Sequence, residues 1–193
     1  EYTLVSIADY VLAHTPGNTV SNLSSSRALA DVTRAHGGEY EAAAVGEVNV
    51  TTKMKEVGAV IGGEGNGGVI YPAIHYGRDA LVGIALFLTM MAKSGKKPSE
   101  IRAALPAYDI YKTKIQLTPE IDVDAILEAI KKHFAGERIT DIDGVKIDFA
   151  DSWVHLRKSN TEPIIRIYSE AHTPEEAAAL ADKIKAIVDT IIA

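Results

Sequence analysis

The sequence predicts an α/β protein in two parts: an α/β/α sandwich domain with a mixed, largely parallel sheet, followed by a smaller α+β domain. The first prediction rests on strand-length apolar runs that alternate with helical patterns, an order typical of parallel sheets covered by helices on both faces. The second rests on clustered strand patterns with helical patterns beside them, which favour an antiparallel sheet with two helices. We expect the domains to span residues 1–105 and 106–193.

In the first half, apolar spacing and stop signals predict the elements. Apolar residues recur at helical spacing up to Leu12, and Pro16 and Gly17 end that helix. Three further helices are each followed by a glycine that stops them: 27–35, 48–57 and 79–93. Strand patterns cover 19–23, 40–45 and 59–61. The last of these is continuously apolar and therefore indicates a buried strand.

In the second half, strand patterns dominate. Alternation over 109–117 predicts an edge-like strand with one wet face, and an amphipathic helix is predicted over 123–134. The dipeptide Asp143–Gly144 between two apolar runs is a strong hairpin signal. The remaining strands are predicted over 139–142, 145–149, 153–156 and 164–168. A closing helix begins at Pro174, because Thr173 can cap it and Glu176 can complete a capping box.

The composition excludes several classes of protein. The chain of 193 residues contains no cysteine, which excludes a disulfide framework, a thiolate metal cluster and a cysteine nucleophile. The formal net charge of -6 argues against nucleic acid or an anionic membrane as a partner. No apolar run reaches the ~18 residues that span a bilayer, and no signal-peptide pattern is visible. We therefore expect a cytoplasmic protein.

A glycine-rich segment, GGEGNGG at 62–68, directly follows the predicted buried strand. Its five glycines let the backbone adopt positive φ and approach a ligand closely. Its only other side chains are Glu64, whose carboxylate can accept from paired hydroxyls, and Asn66, whose amide donates and accepts. This combination suits a polyol or a sugar, and the alternative is a tight turn whose polar residues face water. The acidic side chain and the lack of a following GK[ST] disfavour a phosphate loop.

A second segment, RKSNTEP at 157–163, lies between two predicted strands. Arg157 offers a bidentate fork, while Ser159, Asn160 and Thr161 add hydroxyls, an amide and backbone N–H groups. Such a set of donors can enclose a phosphate, and the alternative is a solvated β-turn. His36, His133, His155 and His172 lack a partner at metal-ligand spacing and no HxxEH-type motif is present, so the sequence predicts no metal site in this chain.

These two segments resemble the sugar-binding and phosphate-binding loops of the α-D-phosphohexomutases, the superfamily of phosphoglucomutase, phosphomannomutase and phosphoglucosamine mutase. Residues 45–81 are similar to the family's third domain, and LRKSNTEPIIRIYSEA at 156–171 is similar to its fourth. The resemblance implies that Glu64 and Asn66 bind sugar hydroxyls. It also implies that four residues of the second segment bind the substrate phosphate: Arg157, Ser159, Asn160 and Thr161.

The resemblance also implies what a longer polypeptide would do. Such an enzyme interconverts hexose 1-phosphate and hexose 6-phosphate through a phosphoserine and a bisphosphorylated sugar, with Mg²⁺ bound by an aspartate-rich loop of an earlier domain. It would be an isomerase of carbohydrate metabolism and a phosphoprotein. The serine motif and the metal loop are both absent from this chain. We therefore expect no catalytic residue and no cofactor site here, and no turnover by this chain alone.

The chain begins at Glu1 rather than at a methionine, and we interpret it as a fragment whose partners are the phosphosugar and the missing N-terminal domains. A stand-alone, non-catalytic phosphosugar-binding module is the alternative. An interaction domain with idle loops is a third possibility, which titration with a hexose phosphate would separate from the other two.

Overall fold

The computed structural model describes residues 1–118, 121–159 and 162–192. Within these described residues, sixteen elements follow one another in chain order: α1 (Tyr2–Leu12), β1 (Thr19–Asn22), α2 (Ala28–Ala35), β2 (Tyr40–Ala43), α3 (Glu47–Val57), β3 (Ile61–Glu64), β4 (Gly68–Ile70), α4 (Ala80–Ser94), α5 (Pro98–Ala103), β5 (Asp109–Gln116), α6 (Val123–His133), β6 (Arg138–Thr140), β7 (Val145–Asp148), β8 (Trp153–Lys158), β9 (Ile164–Ala171) and α7 (Pro174–Ile192). They divide into two compact units, Glu1–Ala107 and Tyr108–Ala193, each with its own sheet.

The first unit contains a mixed, four-stranded sheet in the order β2-β1-β3-β4. Strand β1 pairs in parallel with both β2 and β3, and only β3 with β4 is antiparallel. On one face, Val50 and Met54 of α3 pack against Val20 of β1. Thr19 points to the opposite face, where its hydroxyl lies 2.6 Å from that of Thr33 in α2. Helices therefore cover both faces, which confirms the predicted α/β/α sandwich.

The second unit contains a five-stranded sheet in the order β5-β9-β8-β7-β6, in which every pair is antiparallel. Alternate side chains of its strands, among them Ile147, Val154 and Ile167, pack against α6 and α7 to form one core. Helix α7 begins as predicted, with the Thr173 hydroxyl accepting from the backbone N–H of Glu176 at 3.2 Å. The predicted antiparallel sheet with two helices is confirmed.

The structure departs from the predicted elements at the glycine-rich segment and at the end of the first unit. The segment 62–68 is not a free loop, because β3 continues to Glu64 and β4 begins at Gly68. Strand pairing uses backbone groups, so glycines can pair although they carry no strand signal. Helix α5, Pro98–Ala103, lies in a stretch for which we predicted no helix or strand, just before the predicted end of the first domain at residue 105. In the part of the chain that the structure describes, no helix is long and apolar enough to cross a membrane.

Candidate functional site

The glycine-rich segment forms a β-hairpin in which Glu64, the last residue of β3, stands opposite Gly68, the first residue of β4. The turn consists of residues 65–67. Gly63 has φ of +151°, and a Cβ at this position would collide with the carbonyl oxygen of Gly68. A side chain is therefore excluded from the point where the two strands come closest. The hairpin presents Glu64 and Asn66 from one short segment.

The carboxylate of Glu64 is buried and held on both of its oxygens. Oε1 accepts a hydrogen bond from the Asn22 side-chain amide at 2.9 Å, and Oε2 lies 3.2 Å from Nη1 of Arg78. The Glu64 side chain is 6% exposed. Because a carboxylate has about four acceptor positions, each oxygen keeps a lone pair for a further donor. The protein thus fixes the direction of this acceptor.

Ser25 ties the hairpin turn to the end of β1. Its hydroxyl accepts from the backbone N–H of Gly65 at 2.9 Å and donates to Oδ1 of Asn22 at 2.9 Å. Strands β1 and β3 are parallel neighbours, so their carboxyl ends meet at one edge of the sheet. Open α/β sheets generally bind their ligands at this edge. The fold thereby brings Asn22, Ser25 and Glu64 together from distant parts of the sequence.

Arg78 links Glu64 to a second carboxylate, that of Glu47 at the start of α3. Its Nε donates to Glu47 Oε2 at 2.8 Å, and its backbone N–H donates to Oε1 at 2.9 Å. These hydrogen bonds, the backbone one first, lower the pKa of Glu47. The hydrogen bond between the Arg78 and Glu47 side chains is also the main cause that raises the pKa of Arg78. The nearby charge of Glu64 raises this pKa further. One guanidinium therefore lies between the carboxyl groups of Glu47 and Glu64.

Asn66 lines a pocket of about 510 Å³ together with Glu47, Arg78 and Asp79. Asn66 is exposed, and its Oδ1 accepts from the backbone N–H of Gly68 at 3.1 Å. The pocket thus combines an amide, a guanidinium and two carboxylates. Such a lining can donate to and accept from the hydroxyls of a sugar.

Asp79 caps helix α4. Its carboxylate accepts from the backbone N–H of Val82 at 3.0 Å and lies 2.9 Å from Nε2 of His75. The bond from Val82, followed by that from His75, lowers the pKa of Asp79. Asp79 therefore has a structural reason for its position, beyond any contact with a ligand.

In the second unit, Arg157 lies near the end of β8 with its side chain 19% exposed. Its Nη1 is 3.7 Å from Oδ2 of Asp143, and its Nε is buried with no hydrogen-bond partner among the residues that the structure describes. The turn containing Asp143 can approach β8 closely because Gly144, where φ is +71°, has no Cβ. A Cβ at this position would collide with the carbonyl oxygen of Leu156. Arg157 thus keeps donor capacity beside the distant carboxylate of Asp143.

The remaining members of the predicted phosphate loop follow β8. Ser159 is buried, and its backbone N–H donates to the carbonyl oxygen of Ile164 at 3.1 Å, which anchors the start of the loop to β9. Asn160 and Thr161, which we also predict to bind phosphate, lie outside the described residues. The loop connects two paired strands, so both of its ends are held by the sheet.

Strand register places three cationic residues in one row across the sheet. Arg157 of β8 stands opposite Arg166 of β9, which in turn stands opposite Lys114 of β5. Directly opposed like charges are destabilising, and Glu162 offsets part of this by lying 3.0 Å from Nη2 of Arg166. A bound anion would stabilise the row further.

Beneath Arg157, a buried histidine supports the same turn. Nε2 of His155 donates to the carbonyl oxygen of Asp143 at 2.6 Å, so this nitrogen carries a proton. Burial lowers the pKa of His155 to about 4, and the charges of Lys146 and Arg157 act in the same direction. His155 is therefore neutral at physiological pH and holds the turn that carries Asp143.

Four of the six predicted site residues lie within the part of the chain that the structure describes: Glu64, Asn66, Arg157 and Ser159. The structure also shows supporting residues that no sequence pattern indicated. Asn22, Ser25 and Glu47 contact the glycine hairpin or Arg78 only because the strands and helices bring them there. Across residues 1–118, 121–159 and 162–192, no group of three or more Asp, Glu or His side chains could hold a metal ion.

Two family models match the chain. The one described as phosphoglucomutase/phosphomannomutase, alpha/beta/alpha domain III, matches residues 1–108. The one described as phosphoglucomutase/phosphomannomutase, C-terminal domain, matches residues 113–187.

Curated relatives are considerably longer than this chain. A phosphoglucomutase/phosphomannomutase of Thermococcus kodakarensis is 40% identical over 178 residues, which are 91% of this chain and 39% of that protein. A probable phosphoglucosamine mutase of Methanopyrus kandleri is 33% identical over 90% of this chain and 38% of its own length. The chain therefore spans about two fifths of the length of the curated relatives that it matches.

Solved structures share the fold. A phosphoglucomutase/phosphomannomutase family protein of Burkholderia thailandensis superposes with a TM-score of 0.79 at 27% identity, over 97% of this chain and 41% of that chain. The N-acetylphosphoglucosamine mutase of Aspergillus fumigatus, in complex with GlcNAc-6P and magnesium, gives a TM-score of 0.65 at 14% identity, over 97% and 43% of the two chains. At that identity, the second likeness shows the fold alone.

Proposed function

The chain belongs to the phosphoglucomutase/phosphomannomutase family, and we propose that it is the substrate-binding part of a longer phosphohexomutase. That polypeptide would interconvert hexose 1-phosphate and hexose 6-phosphate. The observation that carries the proposal is that each unit presents one charged group of complementary chemistry. Glu64 offers a carboxylate in the first unit, and Arg157 offers a guanidinium in the second.

The second unit is the part that binds phosphate in this proposal. Arg157 has a buried Nε without a hydrogen-bond partner among the described residues, and its nearest carboxylate, Asp143, is 3.7 Å away. Guanidinium groups bind phosphate oxygens in pairs of parallel hydrogen bonds. Ser159, Asn160 and Thr161 would add hydroxyl, amide and backbone donors around the same phosphate, and Arg166 would add positive charge.

The first unit is the part that reads sugar hydroxyls. Two neighbouring hydroxyls can donate to the free lone pairs of Glu64, while Asn66 can donate and accept from the lining of the pocket. Asn22 and Arg78 would position Glu64 rather than compete for it, because each uses one lone pair of a different oxygen. The names of relatives include glucose, mannose and glucosamine enzymes, so we propose a hexose phosphate without choosing among these three.

Phosphoryl transfer itself would depend on the part of the polypeptide that relatives carry before the matched region. A phosphoserine, Mg²⁺ and a hexose bisphosphate belong there, and the described residues of this chain provide no cluster that fits a metal. In the proposed enzyme, phosphoryl transfer needs both a nucleophile and a metal ion that neutralises the developing negative charge. This chain would supply neither, and we propose that it binds substrate without turning it over. We also propose that the longer polypeptide acts in the cytoplasm.

A stand-alone module that binds phosphosugars is the second candidate, since both loops are present without the catalytic parts. The coding sequence upstream distinguishes the two. A serine motif and an aspartate-rich loop before Glu1 support the longer enzyme, whereas a start codon at that point supports the module.

A coupled mutase assay tests the proposal directly. The longer polypeptide, supplied with Mg²⁺ and a hexose bisphosphate, should convert at least one of glucosamine 6-phosphate, mannose 6-phosphate and glucose 6-phosphate. The chain of 193 residues should show no turnover under the same conditions. Turnover by this chain alone, abolished by changing one of its serines to alanine, would contradict the proposed division of roles.

A further inference from the structure

Helix α4 is apolar on its outward face as well as on its inward face. Between Ala80 and Ser94 its only charged residue is Lys93. Gly83 and Met90 are buried against the unit, whereas Leu81, Ile84 and Leu88 are 78%, 54% and 57% exposed. The exposed three recur at intervals of three and four residues and therefore form one stripe along the helix. A solvated helix face normally carries charged residues, so this stripe needs an explanation.

A groove runs beside the stripe. It has a volume of about 380 Å³ and is lined by Ile84 and Leu88 of α4 together with Phe87, Val69 of β4 and Thr3 of α1. All of these elements belong to the first unit. Apolar side chains from another polypeptide segment could fill the groove while the stripe packs beside it. Exposed apolar surface of this kind marks an interaction site.

We propose that the stripe and groove of α4 form the surface on which the N-terminal part of the longer polypeptide docks. This inference rests on the proposed function in one respect, namely that a longer polypeptide with an N-terminal part exists. Two observations favour this occupant. The matched region covers about two fifths of the curated relatives and corresponds to their third and last domains, which leaves other domains to precede it. Thr3, at the beginning of the chain, lines the groove itself, so a preceding segment would emerge beside the surface.

The docked face would consist of apolar side chains. Leu81, Ile84 and Leu88 offer no hydrogen-bonding groups, and apolar groups gain free energy in proportion to the area removed from water. Docking at α4 would also fix the first unit relative to the catalytic domains. The glycine hairpin adjoins the groove through Gly67 and Val69, so its position would be fixed as well.

Thiol labelling tests the proposal, because the chain contains no cysteine of its own. Leu88→Cys places one thiol on the stripe. Ile142→Cys is the matched control, since Ile142 is also 57% exposed but lies in the second unit. Each variant is made both in the chain of 193 residues and in the longer polypeptide. Iodoacetamide labelling is followed by peptide mass spectrometry at low micromolar protein.

In the short chain, both thiols should react at similar rates. In the longer polypeptide, the thiol at position 88 should react at least about tenfold more slowly because it is buried, and the control should be unchanged. Equal rates at position 88 in the two proteins would overturn the proposal. Protection already present in the short chain, increasing with its concentration, would also overturn it and identify a second copy as the occupant.

A charged substitution gives an independent readout. Leu88→Glu should lower the melting temperature of the longer polypeptide by several degrees and leave that of the short chain unchanged, with Ile142→Glu neutral in both. Equal melting temperatures for Leu88→Glu and wild type in the longer polypeptide would contradict docking. Neither readout requires activity, so a failed mutase assay and a failed docking test remain distinguishable.

Discussion

Each unit contains an arginine beside a carboxylate, but the two pairs differ in how much bonding capacity the protein leaves unused. In the first unit, Arg78 lies 2.8 Å from Glu47 and 3.2 Å from Glu64, and Glu64 also accepts from Asn22 at 2.9 Å. In the second unit, Arg157 lies 3.7 Å from Asp143. In the first unit, Arg78 and its partners form a closed network of short contacts, whereas in the second unit Arg157 and Asp143 form one long contact.

The difference separates a group that is positioned from a group that is kept available. Glu64 is fixed in direction and can accept only donors that arrive along its remaining lone pairs, which favours a neutral ligand with defined hydroxyl geometry. Arg157 retains donors and can form a bidentate contact with an anion. A closed network therefore suits recognition of sugar stereochemistry, and an open cation suits phosphate.

The largest expected effect on stability comes from acid and is confined to the second unit. His155 has a folded pKa of about 4, below the ordinary value of 6.5, so the unfolded chain binds its proton first as the pH falls. The stability that the neutral His155 contributes is complete above pH 6.5 and is lost as the pH falls from 6.5 to about 4. The loss of unfolding free energy over this range is about 3 kcal/mol. Urea unfolding followed by the fluorescence of Trp153, the only tryptophan, reports on this unit.

His155→Gln is the control for the acid effect, because glutamine can still donate to the Asp143 carbonyl oxygen but does not titrate. Its unfolding free energy should change less between pH 6.5 and 4 than that of the wild type, whatever its absolute value. Parallel pH profiles for the two proteins would show that His155 is not the group responsible.

The next effect compares the two arginines. Arg78→Met leaves the buried Glu64 with one partner and should destabilise the first unit by about 2 kcal/mol. Arg157→Met removes a contact of 3.7 Å and should cost the second unit less than about 1 kcal/mol. Hydrogen exchange in β1 and β3 measures the first loss, and exchange in β8 and β9 measures the second. A larger loss for Arg157→Met would reverse the comparison between closed and open networks.

A smaller effect concerns specificity in the first unit. Glu64→Gln should weaken the binding of hexose 6-phosphate by about 1.5 kcal/mol, because hydrogen bonds from hydroxyls to a carboxylate are stronger than those to a neutral amide. The affinity for inorganic phosphate should stay at the wild-type value. Calorimetric titration of both ligands measures the two effects, with Asn66→Ala as a variant of the same hairpin. Unchanged hexose 6-phosphate affinity in Glu64→Gln would mean that Glu64 serves the hairpin alone.

The sequence predicted those helices and strands in which apolar side chains recur at a regular interval. The alternation over 109–117 and the capped helix from Pro174 are both present in the structure at nearly the expected bounds, although within β5 only Ile115 is buried. The pairing of Gly62 and Gly63 with β4 was not predicted, since it involves backbone groups and leaves no pattern in the side chains.

The candidate site was predictable only where its residues are neighbours in sequence. Glu64 and Asn66 share one segment, as do Arg157 and Ser159, and their chemical types indicated a ligand. Asn22 reaches Glu64 across 42 residues, and that contact follows from the parallel pairing of β1 with β3 rather than from spacing. Arg78 likewise meets Glu47 across 31 residues because a loop and a helix end converge there.

In the function that we propose, the second unit binds phosphate through Arg157 and the first unit recognises the sugar independently. Titration of inorganic phosphate against wild type, Arg157→Lys, Arg157→Ala and Glu64→Gln tests this most directly, with melting curves to show that each protein is folded. Arg157→Ala should lose about 2–4 kcal/mol of binding free energy, and Arg157→Lys should lose less because it keeps the charge without the planar fork. Glu64→Gln should bind phosphate as the wild type does. Equal phosphate affinities for the wild type and both Arg157 variants would contradict the claim and place the phosphate elsewhere.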